Sequence, residues 1–172
     1  MNTEMRKNVF SCYVATVDEE IRILKKRISD ELKKIDDDAS SRQGKSDVGD
    51  VGEMCNYQNI TRAVVGCLNE QIQNLVELKQ ALKDGLEAPG DTVDLWSIVS
   101  VDYFKGEEKI EKTFFIVPAL PGKTVYKDEN YSVCSLSFDT KLAKSLIGNK
   151  KGDLISSYFD NAENDGKIVN IF

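Results

Sequence analysis

At 172 residues, with 41% hydrophobic and 30% charged side chains, the chain has room for one ordinary domain or two small ones. A formal charge of −6 and a pI near 4.8 argue against a module that holds nucleic acid by neutralising phosphates. The complete absence of histidine excludes a Ser–His–Asp triad, a Cys–His pair, a His general base and every zinc site that needs imidazole. Any chemistry must come from carboxylates, lysines, hydroxyls or thiols.

Residues 1–15 read as a short arm, in which Arg6 and Lys7 precede an apolar stretch broken by polar residues. Thr16 followed by Glu19 fits a capping box. From there Val17, Ile21, Leu24, Ile28, Leu32, Ile35 and Ala39 step by threes and fours along one face, and Lys25, Lys26, Arg27, Lys33 and Lys34 lie between them. A second stripe, Tyr57, Ile60, Val64, Leu68, Ile72, Leu75, Leu78 and Leu82, ends at Asp84-Gly85. Consecutive steps of four, Ile28 to Leu32 and Val64 to Leu68 to Ile72, fall opposite one another if the chain reverses near Val48. The expected arrangement is an antiparallel coiled-coil hairpin about 40 Å long, projecting as a rod. The glycines at 44, 49 and 52 are turn chemistry between the two helices.

Pro89-Gly90 ends the helical pattern. Val93 to Tyr103 and Ile110 to Val117 read as strands joined at Lys105-Gly106, and Asp139 to Ile147 as a helix closed by Gly148. Leu154 to Phe159 and Lys167 to Ile171 read as a hairpin around Asn164-Asp165-Gly166. Trp96, Phe114 and Phe115 are expected in the core. The fold class is therefore α+β, with an arm (1–15), a hairpin (16–88) and a small globular domain (89–172).

The four cysteines, Cys12, Cys55, Cys67 and Cys134, form no C-x-x-C pair and suit reduced thiols in a cytoplasmic protein. No apolar run approaches the ~18 residues of a spanning helix, and no membrane partner is expected. The informative segment is the hairpin tip, with Asp47, Asp50 and Glu53. Asp50-x-x-Glu53 suits a helix start, with Asp as N-cap and Glu at the third position. The same carboxylates suit Mg²⁺ held jointly with a partner, which can activate water for phosphodiester hydrolysis. The two readings are compatible.

The tip GDVGEMCNY at 49–57 is similar to the Gly-Asp-Leu-x-Glu-Asn-x-x-Tyr motif of the bacterial Gre transcript-cleavage factors. FFIVP at 114–118 resembles that family's central strand, and LAKSLIGNKKGDLI at 142–155 resembles its Leu-x-x-x-Leu-Leu-Gly-x-x-x-Gly-Asp segment. The likeness spans roughly residues 16–171, in order. It implies an FKBP-like globular domain docked at the rim of the RNA polymerase secondary channel, with the hairpin inside the channel. Asp50 and Glu53 would then help hold the polymerase's second catalytic Mg²⁺ and position water for cleavage of backtracked RNA. Tyr57 corresponds to the motif tyrosine. The chain itself would be a monomeric catalytic accessory and not an enzyme.

The resemblance also implies that Arg42, Lys45 and Arg62 contact the nascent RNA 3′ end. Thr140, Lys141, Lys144, Gly148, Lys150 and Lys151 are expected on the polymerase-docking face. The chain departs from the motif at Met54, Cys55 and Asn56. It also departs at Thr140-Lys141, where the family has Ser-Pro, and at PALPGKTV after Val117, where the family is acidic. These departures leave a second reading open, a secondary-channel regulator or inhibitor that binds polymerase without stimulating cleavage.

Overall fold

The computed structural model describes residues 2–41, 50–84, 90–129, 131–159 and 162–172. Two long helices, α1 (Asn2–Ser41) and α2 (Asp50–Asp84), form an N-terminal hairpin and are followed by a small domain with a mixed sheet. The chain divides into two compact units, one of Val17–Glu77 and one of Met1–Thr16 with Leu78–Phe172.

In the helical unit, Val17, Ile21, Leu24, Ile28, Glu31 and Ile35 are buried or half-buried along α1, as are Thr61, Val65, Leu68, Ile72 and Leu75 along α2. Steps of four and three alternate along both rows, the 3.5-residue period of a left-handed coiled-coil seam. The expected run of fours is corrected by this geometry, since each step of four rotates about 40° off the seam. Leu32, Val64 and Ile60 are exposed accordingly, at 45%, 41% and 62%. Leu24, 4% exposed, is expected to cost about 2–5 kcal/mol on truncation to Ala. Leu32→Gln is expected to stay within about 0.5 kcal/mol of wild type. Urea midpoints of the two variants check the register.

The other unit is built on a six-stranded sheet of β1 (Ile98–Lys105), β2 (Glu108–Val117), β3 (Thr124–Lys127), β4 (Ser132–Ser137), β5 (Leu154–Phe159) and β6 (Ala162–Ile171). Their order across the sheet is β3-β4-β2-β1-β6-β5, and β2 and β4 run parallel while the other neighbours are antiparallel. The β1–β2 loop is the pair Gly106-Glu107, and Gly106 takes the positive φ (66°) that a tight two-residue hairpin needs at its first position. The short helix α3 (Lys141–Leu146) follows β4, and Gly148 (φ 85°) lies just past its end.

Strand alternation sorts the side chains onto two faces. Val99, Val101, Tyr103, Ile116, Ile155 and Ile168 pack with Val93, Phe159 and Leu146 of α3 on one face, and Phe114, Leu142 and Ile147 border this cluster. The Tyr103 and Phe159 rings stack at 4.5 Å. On the other face Phe115 is fully buried against Phe10, Tyr13 and Trp96, with ring centroids 4.9, 5.3 and 6.1 Å away.

Phe10 and Tyr13 belong to the segment read from sequence as an arm. It is instead the first turns of α1, packed on the sheet. Arg6, 6% exposed, donates to the Phe172 carbonyl at 2.6 Å and lies 4.8 Å over the Phe10 ring. The Tyr13 hydroxyl donates to the Ala119 carbonyl. Thr16 is no cap, because its hydroxyl donates to the Cys12 carbonyl one turn back, while Glu19 pairs with Arg22 at 2.6 Å. The last hairpin is also corrected. Phe159 pairs with Ala162, so Asn164, Asp165 and Gly166 lie inside β6 and the reversal falls at 160–161, outside the described residues. A Cβ on Gly166 would sit 3.0 Å from Val101 and 3.2 Å from the Asp102 carbonyl, so this glycine serves close approach and not a turn.

Burial pushes the Tyr13 phenol far above the ordinary tyrosine value. The folded state therefore keeps its proton while the unfolded chain loses it. Stability from this group is complete below the unfolded value of about 10 and is lost as pH rises beyond it. Unfolding titrations above pH 10 are expected to show this loss in wild type, and Tyr13→Phe is expected to flatten it.

Candidate functional site at the hairpin turn

The turn end of the hairpin is bounded by Ser41 at the end of α1 and Asp50 at the start of α2. Asp50 and Glu53 both fall in the first turn of α2. Three apart on a helix, their Cβ atoms are about 5–6 Å from each other on one face. The unpaired N–H groups and positive dipole end of α2 favour negative charge there. Acidic residues at such a position suit helix capping. The side chains of residues 38–55 lie outside the described part, as do Arg42, Lys45 and Asp47 entirely.

Further along α2, Tyr57 is 40% exposed and Arg62 is exposed on the helix surface. The Thr61 hydroxyl, which accompanies the buried seam, donates to the Tyr57 carbonyl at 3.0 Å. On α1 Lys34 is paired with Glu31 at 2.7 Å, and that hydrogen bond and the Glu31 charge hold its ammonium above the ordinary lysine value. Arg62 is thus the one proposed RNA-contact residue within the described part.

The residues expected on a docking face are brought together at α3 and the loop after it. Thr140 caps α3, its hydroxyl accepting from the Ala143 N–H at 3.2 Å and donating to the Ser137 carbonyl at 2.8 Å. Lys141 and Lys144 are exposed on α3, and Lys150 and Lys151 are exposed beyond Gly148. The loop is pinned by the Gly148 N–H on the Val93 carbonyl, by Asp153 accepting from the Lys150 N–H, and by Lys151 donating to Asn170. Helix α3 and the loop after it thus present four lysines on a chain whose overall charge is −6.

Sequence reasoning missed the docking of residues 2–16 on the sheet. Its signal was present in Phe10, Tyr13 and Val17, which extend the seam spacing backward. Among the described residues no three acidic or thiol side chains converge to hold a metal ion, and no helix is long and apolar enough to cross a membrane. The described thiols Cys12, Cys67 and Cys134 are free, the first two exposed.

No protein-family model and no curated protein matches the chain. Solved structures do. The GreA factor homolog 1 (Gfh1) of Thermus thermophilus aligns at 16% identity over 92% of this chain and 94% of its own, with a TM-score of 0.35. A second structure described as the transcription factor Gfh1 aligns at 14% identity over 92% of each chain, with a TM-score of 0.34. Gfh1 of Thermus aquaticus aligns at 15% identity over 94% of each chain, with a TM-score of 0.35.

Proposed function

We propose that this chain is a Gre-type transcription elongation factor. In this reading it binds RNA polymerase through the secondary channel and stimulates the polymerase's own Mg²⁺-dependent cleavage of backtracked RNA. The observation that carries the reading is the position of the motif carboxylates: Asp50 and Glu53 open α2 at the turn of a long helical hairpin. A pair of carboxylates on so slender an element has little around it to enclose a substrate, so its chemistry is completed by a host. There Asp50 and Glu53 share a Mg²⁺ with the polymerase and orient the attacking water. Arg42, Lys45 and Arg62 face the RNA 3′ end, and the α3 lysines with Thr140 and Gly148 meet the polymerase rim. The expected compartment is the bacterial cytoplasm.

A second reading is favoured by the residues after Glu53. Met54, Cys55 and Asn56 stand where the motif has an Asn, a small residue and the Glu before the tyrosine, which suits a regulator that occupies the channel without stimulating cleavage. Stalled, backtracked elongation complexes separate the two. Shortened RNA on addition of the chain supports the first reading, and binding with slowed elongation and no shortening supports the second. Failure to bind polymerase overturns both.

A further inference from the structure

Helix α2 carries a second row of residues with the spacing of a seam. Tyr57, Ile60, Val64, Cys67, Gln71 and Asn74 step alternately by three and four, which holds them on one face at the 3.5-residue period of a coiled coil. This row is rotated about 100° around the helix from the buried row of Thr61, Leu68 and Leu75. All six residues are exposed, Ile60 at 62% and Tyr57 at 40%. Of the two seam-spaced faces, the first is buried and the second lies open.

The open face is also neutral. Between Asn56 and Val76 the charged side chains of α2 are Arg62 and Glu70, and neither falls in the row. Helix α1 is different, with Lys25, Lys26, Arg27, Asp30, Lys33 and Lys34 all exposed. A helix face kept in water normally carries charge. An uncharged row with Tyr, Ile and Val has the composition of an interface core, where charged residues are depleted and aromatic ones enriched.

We infer that this face pairs with the same face of a second copy of the chain, the two α2 helices running antiparallel. The spacing three, four, three, four, three reads the same in both directions, so a reversed copy lays its row onto the first in register. Val64 then meets Cys67 of the partner subunit, and Ile60 meets the stem of Gln71 of the partner subunit. Tyr57 meets Asn74 of the partner subunit, whose amide suits the phenol. The two-fold axis repeats each contact. On the outer flank Ala63 falls beside Glu70 of the partner subunit, so no like charges meet between Asn56 and Val76. A charged partner would find nothing on this row to pair with, and its own charges would lose water without compensation. The contact runs about 27 Å along the helix and is small for a specific interface, so a reversible dimer with Kd on the order of 10–100 μM is expected. The inference stands without the polymerase reading.

The test is sedimentation equilibrium of the full chain from about 1 μM to about 1 mM. A reversible monomer–dimer equilibrium is expected, changing little between about 50 and 500 mM salt because the contact contains no ion pair. Ile60→Glu is expected to raise Kd by about a hundredfold or more, since the symmetry places the buried charge twice. Cys67→Glu should act alike. Both residues are exposed in the single chain, so urea midpoints are expected to stay near wild type. Val76, 47% exposed on the opposite side of α2, supplies the control, and Val76→Glu is expected to leave Kd within about threefold. A benzophenone side chain in place of Asn74 is expected to crosslink near Tyr57 of the partner subunit in mixtures of light and heavy chains. A chain that stays monomeric to about 1 mM would overturn the assignment. So would a dimer unmoved by Ile60→Glu and Cys67→Glu, or one weakened equally by Val76→Glu. Crosslinks from position 74 to the same position of the second copy would overturn the antiparallel register.

Discussion

Asp50→Ala is expected to reduce stimulated RNA cleavage in backtracked complexes by about two orders of magnitude or more while leaving polymerase affinity within about threefold. The size follows from the role assigned to the carboxylate. A metal ligand present only in the assembled active centre contributes to the transition state and not to docking, and the loss of such an electrostatic group costs about 10²–10³ in rate. Docking would rest on α3 and the loop of Lys150 and Lys151, far along the chain from the substitution. Glu53→Ala should behave in the same way, and the double variant should fall little further, because residues acting as one unit do not add. As an N-cap, Asp50 would matter only for helix stability, by about 1 kcal/mol. Asp50→Asn separates the roles, since Asn caps well but binds Mg²⁺ poorly. Restored cleavage in that variant would assign the residue to capping alone.

Phe115→Ala is expected to destabilise the sheet-containing unit by about 3–5 kcal/mol, a large part of the 5–15 kcal/mol typical of a whole domain. Phe115 has no exposure, and the rings of Phe10, Tyr13 and Trp96 all rest on it. Its removal opens a cavity where α1 meets the sheet. The start of α1 should loosen with it, so amide exchange in residues 6–14 is expected to accelerate as the urea midpoint falls. Phe104, 56% exposed on neighbouring β1, provides the contrast, and Phe104→Ala is expected to stay within about 0.5 kcal/mol.

The coiled coil and the long strands were legible because periodicity survives folding. The seam of α1 and the run of β2 into Phe115-Ile116-Val117 are written as spacing of apolar residues. Local signals were less dependable. Thr16-x-x-Glu19 has the residue types of a capping box, yet the hydroxyl bonds back to Cys12 because the helix had already begun. Asn164-Asp165-Gly166 has the composition of a turn, yet the tertiary approach of Val101 and Asp102 claims the glycine for the middle of β6. Strands β3 and β4 escaped notice because Thr124–Lys127 is only one turn-length long and Ser132–Ser137 mixes serines and a cysteine with its apolar positions. The seam's passage through Glu31 and Thr61 could not be read from hydrophobicity, since both are polar. Of the site, the residue types and their order were legible. In the proposed reading a partner completes the side-chain arrangement of the pair, and no spacing within one chain encodes that.

The most direct measurement of the central claim is reach. A photo-crosslinking residue placed at Tyr57, which is exposed on α2 a turn beyond Glu53, can be activated in backtracked elongation complexes carrying a labelled RNA 3′ end. Crosslinks to the RNA 3′ end and to polymerase segments around the catalytic Mg²⁺ are the predicted result. Crosslinks solely to the polymerase exterior, with the RNA unlabelled while the chain is bound, would contradict the account.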